Sequence, residues 1–242
     1  GAAANKNVGV LEIGPGIGVL TKELSLTSKK VVAIEIDERL KKILPITLAD
    51  CDNVKVIYGD VMKLDLKKII EENFSDCESV SVCANLPYYI TSPIVMMLLE
   101  CRLPIDKITV MVQKEAADRI CADVGSRNSG AVTVAVSYYA DTEILFSVDR
   151  TSFLPAPNVD SAVIQLKIRE NPPIKVKSEE KFFKLVKACF AQRRKTLINS
   201  VSNTLKVDKE TLKIILEKLE IPLTVRGEQL NIEQLGKMSD LL

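Results

Sequence analysis

Residues 8–18 read VGVLEIGPGIG. An apolar, partly β-branched run ends in three glycines at alternate positions, Gly14, Gly16 and Gly18. The run 8–14 has the length and composition of a buried strand, and the pattern over 18–27 that of a helix. The glycines therefore make the turn between them, where backbone without a Cβ can bend tightly and approach a ligand. The spacing is G-P-G-x-G, whereas a dinucleotide site reads G-x-G-x-x-G, which argues against a nicotinamide cofactor.

Outward from this turn the same alternation repeats. VVAIEID (31–37), VKVIYGD (54–60), SVSVCAN (79–85) and KITVMVQ (107–113) read as buried strands, with helical patterns near 38–49, 65–73, 92–101 and 114–122. Strand and helix in alternation predict a parallel sheet covered on both faces. Two further runs, GAVTVAVSYY (130–139) and SAVIQLKI (161–168), have no helix of similar length between them and are expected to pair antiparallel at a sheet edge. The fold class is α/β: a Rossmann-like, mostly parallel seven-stranded sheet. After the Pro-rich linker NPPIKVKS (171–178) only helical patterns follow, near 179–190, 193–205, 208–219 and 228–236. The expected domains are 1–173, carrying the sheet, and 174–242, a small all-α domain.

Composition removes several chemistries. The chain has no histidine, so Ser-His and Cys-His catalysis and histidine metal ligation are excluded. Its six cysteines are scattered with no C-x-x-C pair, which reads as reduced thiols and neither a disulfide frame nor a zinc site. No metal is expected. No apolar run approaches the ~18 residues of a membrane span, and no signal-peptide pattern opens the chain, so a cytoplasmic protein with no membrane partner is expected. Net charge is only +1, but eleven Lys/Arg and three Asp/Glu fall between Lys167 and Lys206, a segment charge of +8 against −7 elsewhere. A basic region on an acidic body points to nucleic acid; a solvated helix face is the plainer alternative.

Three strand ends carry candidate ligand groups. Glu35 follows Gly14 by 21 residues, where a carboxylate can accept from ribose hydroxyls. Asp60 closes the third strand, placed to accept from an adenine amino group. Glycine loop, Glu35 and Asp60 would converge on one crevice suited to an adenosine without a pyrophosphate. The fourth strand ends in CANLPYYITSP (83–93): an amide at Asn85, a rigid Pro87, and the aromatics Tyr88 and Tyr89. That is a grip for a flat polar ring, with Ser92-Pro93 reading as a helix start. Tyr89 divides between a packing role and a site role.

Together these segments resemble the S-adenosylmethionine-dependent ribosomal RNA adenine N6,N6-dimethyltransferases. The resemblance continues through MVQKEAADRI (111–120), SFLPAPNVDSAV (152–163), FAQRRKTL (190–197) and RGEQL (226–230), and so covers nearly the whole chain. Within the family it is the bacterial small-subunit enzyme that the sequence resembles most, which dimethylates two adjacent adenines near the 3′ end of 16S rRNA. The related erythromycin-resistance enzymes, acting on a large-subunit adenine, usually carry Ile where this chain has Leu86. Family members also carry a segment before the first strand, typically containing Gln-Asn-Phe-Leu. This chain opens Gly-Ala-Ala-Ala-Asn-Lys, which reads as truncation or a cloning remnant, with weakened cofactor and RNA binding expected.

The resemblance implies S-adenosylmethionine as cofactor, held by Glu12, Gly14, Gly16, Glu35, Ile36, Asp60, Val61 and Asn85. It implies that Asn85, Leu86, Pro87 and Tyr88 hold the target adenine, Tyr88 stacking on one face and Phe153 closing the other. The chemistry suits the task. Adenine N6 is a poor nucleophile because its lone pair is delocalised. The Asn85 side-chain oxygen and the Leu86 carbonyl can accept its two hydrogens and favour a pyramidal nitrogen, while Pro87 makes that carbonyl rigid. Orientation and polar stabilisation then suffice without a strong base. A base reached in this way must be out of any stack. Arg193, Arg194 and Lys195 would contact RNA phosphates from around a helix start. The implied partner is the small ribosomal subunit with its 16S rRNA, bound by a monomer. The alternatives are an RNA-binding ribosome-assembly factor and a methyltransferase with a large-subunit target.

Overall fold

The computed structural model describes residues 6–153 and 156–242. In chain order the elements are β1 (Val8–Ile13), α1 (Val19–Thr27), β2 (Lys30–Glu35), α2 (Leu44–Thr47), β3 (Val54–Tyr58), α3 (Leu66–Asn73), β4 (Ser79–Asn85), α4 (Tyr88–Glu100), β5 (Lys107–Gln113), α5 (Lys114–Ile120), α6 (Ala131–Tyr139), β6 (Ala140–Val148) and β7 (Ser161–Ile168). Four helices follow: α7 (Glu179–Phe190), α8 (Leu197–Leu205), α9 (Lys209–Lys218) and α10 (Ile232–Leu241).

The seven strands form one sheet in the order β3-β2-β1-β4-β5-β7-β6. β1 to β5 pair in parallel, and β7 runs antiparallel to β5, with Gln113 opposite Ser161. Every residue of β1 is buried, which is why its sequence shows a continuous apolar run instead of alternation. β1 lies between β2 and β4. The chain leaves it first to one side and later to the other, and this reversal opens a crevice at the carboxyl ends of the parallel strands.

The chain divides into two compact units. One comprises residues up to Ala117 together with Thr142–Ile168; the other comprises Asp118–Asp141 and Arg169–Leu242. Asp118–Asp141 thus groups with the C-terminal helices.

The reason lies in a corrected element. GAVTVAVSYY, expected as a strand over 130–139, is helix α6, and the edge strand is β6. Its β-branched residues suggest a strand, but a short apolar run does not separate strand from helix, and here packing against α7 accompanies the helix. Val134 and Val136 are wholly buried, and Thr133 Oγ1 accepts the Gly130 N–H at 2.9 Å at the helix start. Tyr138 and Tyr139 pack against Phe182 and Phe183 of α7, the Tyr139 and Phe183 rings stacking at 5.5 Å. The Tyr138 hydroxyl donates to Glu179 at 3.0 Å.

Other boundaries move as well, among them that of α10, which spans Ile232–Leu241 where 228–236 was expected. α4 begins at Tyr88, not at Ser92, and takes Pro93 into its interior, where the missing N–H removes the bond to the Tyr89 carbonyl. α8 begins at Leu197, so residues 193–195, expected in a helix, lie in the turn after α7.

Candidate functional site

The glycine turn is conformationally obligatory. Gly14 and Gly16 have φ of 72° and 57°, a region costly for residues with a Cβ. A Cβ on Gly14 would also come within 3.1 Å of Leu86, whereas one on Gly16 would meet nothing within 4 Å. Gly16 therefore leaves open space at the crevice. Successive strand ends are tied together: Gly14 N–H donates to the Ile34 carbonyl at 3.0 Å, and Gly59 N–H to the Glu35 carbonyl at 2.8 Å.

Glu35, 5% exposed, accepts the Gly16 N–H at 3.2 Å through Oε2 and the Asp37 N–H at 2.7 Å through Oε1. Its carboxylate is thus fixed by two backbone donors. Asp37 caps the short 3-10 turn Glu38–Lys42 and takes a bidentate contact from Arg39, with distances of 2.6–3.0 Å. The Arg39 hydrogen bonds hold its carboxyl down at about 2. Asp60 Oδ1 accepts the Met62 N–H at 3.0 Å, and Oδ2 lies 3.5 Å from the exposed Lys63 ammonium.

Gly14, Gly16, Glu35, Ile36, Asp60 and Val61 line one cavity of ≈ 370 Å³. Asn85, Leu86 and Pro87 close its other wall. The structure therefore brings nine of the sequence-predicted residues together. Asn85, the exposed last residue of β4, also lines a second, apolar cavity of ≈ 280 Å³ with Leu20, Met111, Phe146 and Val163.

Six predicted residues are not part of the crevice lining. Glu12 lies inside the sheet, 1% exposed, between Ala33 and Cys83 of the neighbouring strands. Burial pushes its carboxyl up to about 7, with Glu35 adding to the effect and Thr21 opposing it. The Thr21 hydroxyl is near without reaching hydrogen-bond geometry, and Glu12 Oε2 has no hydrogen-bond partner among the described residues. Tyr88 is half-buried, its hydroxyl 2.7 Å from Ser161 Oγ. Phe153 is half-buried after a short 3-10 turn, Arg150–Ser152; Leu154 and Pro155 of the same motif lie outside the described residues. Arg193, Arg194 and Lys195 are exposed in the turn before α8.

Sequence reading missed Asp37, Leu40, Ile90 and Ile94 as lining residues, and left Tyr89 undecided. Tyr89 is 83% exposed and lines the crevice. Asp37 had a signal in its position two residues beyond Glu35; the α4 residues did not, because that helix starts earlier than its Ser-Pro step suggests.

The cavity lining carries the carboxylates of Glu35, Asp37 and Asp60 and, among the described residues, no Lys or Arg. Ile13, Ile34, Leu86 and Ile94 supply apolar walls. Such a site suits a cationic nucleoside with an apolar ring and disfavours a pyrophosphate. Sheet order, glycine turn and acidic crevice together make a Rossmann-like fold with a site suited to a cationic nucleoside.

The comparisons with known proteins are specific. Residues 2–241 match the family Ribosomal RNA adenine dimethylase. The chain is 49% identical over 244 residues to the ribosomal RNA small subunit methyltransferase A of Bacillus pumilus, covering all of this chain and 84% of that protein. Among solved structures, a dimethyladenosine transferase from Plasmodium falciparum is similar with a TM-score of 0.77 and 28% identity, over 97% of this chain and 90% of the other. The 23S rRNA methyltransferase ErmE is similar with a TM-score of 0.71 and 27% identity, over 100% of this chain and 93% of the other. The chain belongs to the ribosomal RNA adenine dimethylase family.

Proposed function

We propose that this protein transfers methyl groups to the exocyclic N6 of two adjacent adenosines near the 3′ end of 16S rRNA, and so takes part in small-subunit biogenesis. The observation that carries this reading is the single crevice in which Asn85-Leu86-Pro87 face the glycine turn, Glu35 and Asp60. S-adenosylmethionine supplies an electrophilic methyl on a sulfonium. Glu35 accepts from ribose hydroxyls and Asp60 from the adenine amino group of that cofactor. Gly14 and Gly16 give the backbone its close approach, and Ile36 and Val61 wall the adenine.

Asn85 acts on the other reactant. Its side-chain oxygen and the Leu86 carbonyl accept the two N6 hydrogens of the target, and Pro87, at φ −54° and ψ 134°, fixes the carbonyl between them. Tyr88 and Phe153 hold the extruded base by stacking, worth about 1–3 kcal/mol per base. Arg193, Arg194 and Lys195, whose side chains project from an exposed turn, contact RNA phosphates. The helical region beyond residue 173 serves as the RNA-docking part of the chain.

The test is incubation of small ribosomal subunits lacking the modification with methyl-labelled S-adenosylmethionine, followed by nucleoside analysis. N6,N6-dimethyladenosine in 16S rRNA is expected. Label confined to large-subunit RNA would reassign the target. RNA binding with no transfer by cofactor-loaded protein would leave an assembly factor in place of an enzyme.

A further inference from the structure

Ser161 is wholly buried as the first residue of β7, opposite Gln113 of β5. A buried hydroxyl needs a partner, and this one has the phenol of Tyr88, 2.7 Å away. Tyr88 is the first residue of α4, directly after Pro87. We infer that Ser161 is a positioning residue: its hydrogen bond sets the plane of the Tyr88 ring against the target adenine. The inference rests on the reading of Tyr88 as a stacking residue.

The neighbouring residue supports it. Asp160 accepts the Arg150 N–H at 3.1 Å with its side chain and the Lys114 N–H at 3.0 Å with its carbonyl. Arg150 in turn donates to the Asn158 carbonyl at 3.3 Å. The segment that carries Phe153 is therefore closed at its base by Asp160, one residue from the Tyr88 tether. The two adjacent residues Asp160 and Ser161, at the start of β7, thus hold Arg150, near Phe153 in sequence, and the phenol of Tyr88. A stacking face must be held parallel to the base, and a phenyl ring on the first turn of a helix has free torsions unless its far end is tied. Tyr88 has that tie, while its neighbour Tyr89 is largely exposed.

The experiment compares Ser161→Ala, Ser161→Thr, Tyr88→Phe and the Ser161→Ala/Tyr88→Phe double variant on small-subunit substrate, with thermal melts confirming folding. Ser161→Ala and Tyr88→Phe are each expected to lower kcat on the order of 10-fold. Cofactor affinity stays unchanged and KM moves little. The double variant falls no further than either single one, because both remove the same bond. Ser161→Thr, which keeps the hydroxyl, recovers most of the rate. Multiplying losses in the double variant, or wild-type kcat in Tyr88→Phe, would overturn the proposal. Tyr88→Phe keeps the ring and leaves β7 untouched, so it decides the matter even if Ser161→Ala fails to fold. Undiminished methylation by Tyr88→Ala would instead sink the stacking reading itself.

Discussion

Replacing Glu12 by Gln isolates the consequence of a carboxyl buried in the sheet without a full set of partners. In the unfolded chain this group titrates at its ordinary 4.5, and in the folded protein at about 7, chiefly through burial. The folded state therefore binds the proton more tightly, and stability falls as pH rises between those two values. The gap amounts to about 3 kcal/mol once the pH exceeds the folded value, and to less than about 1 kcal/mol at pH ~5. Glutamine has nearly the same shape and no proton to lose. Its extra N–H hydrogens add a cost, but one that does not change with pH. The readout is thus the difference between two pH profiles. Thermal melts of wild type and Glu12→Gln should run parallel near pH 4.5 and diverge towards pH 8, the variant gaining about 3 kcal/mol, or about 6–12 °C, relative to wild type. Cys83 on the adjoining strand, pushed up to about 12 by burial and by Glu12, stays neutral throughout and does not confuse the profile. Profiles that remain parallel from pH 4.5 to 8 would refute the claim that Glu12 is buried with a raised pKa.

Asn85→Ala should reduce single-turnover methyl transfer by about 10²–10³-fold, the loss of one preorganised polar group in a transition state, while filter binding shows unchanged RNA affinity. Glu35→Ala should weaken cofactor binding by about 10–100-fold in calorimetry, since the carboxylate both accepts from ligand and fixes the Gly16 and Asp37 amides; tight binding by this variant would place the cofactor elsewhere. Replacing Arg193, Arg194 and Lys195 together by Ala should flatten the slope of log K against log salt by about 0.7–0.9 per lost phosphate contact, and an unchanged slope would move the RNA surface off this turn. Gly227→Ala puts a Cβ 2.5 Å from the Cys189 carbonyl, so the helical unit should lose about 1–3 kcal/mol in denaturant unfolding.

The parallel half of the fold was legible because most of its strands are buried on both faces. Val8–Ile13 and Lys30–Glu35 could be read as strands from unbroken apolar runs ending in glycine or acid. The same rule misled at residues 130–139, where an equally apolar run is a helix because four aromatic rings from α6 and α7 gather around it. A short apolar segment carries no periodicity that separates the two cases. In the site, the residue types at strand ends were visible in the sequence, since each brings its own chemistry to a known edge. What was hidden depends on direction: that Glu12 turns inward without a full set of partners, that Tyr89 faces the crevice, and that Tyr88 is tied to Ser161. The hydrogen bond from Tyr88 to Ser161 spans 73 residues of chain, and nothing local in either segment announces it.

The position of Tyr89 has an optical consequence. The chain contains five tyrosines and no tryptophan, so it has no indole emission of its own. An indole placed by Tyr89→Trp at this 83% exposed rim of the crevice would be the sole such fluorophore. Tyr138 and Tyr139, locked in the aromatic cluster of the helical unit, would be silent under selective excitation. Wavelength and quenching would then report on one spot of the protein, so that cofactor entry, RNA arrival and product departure could be followed in real time as separate kinetic phases without labelling either ligand.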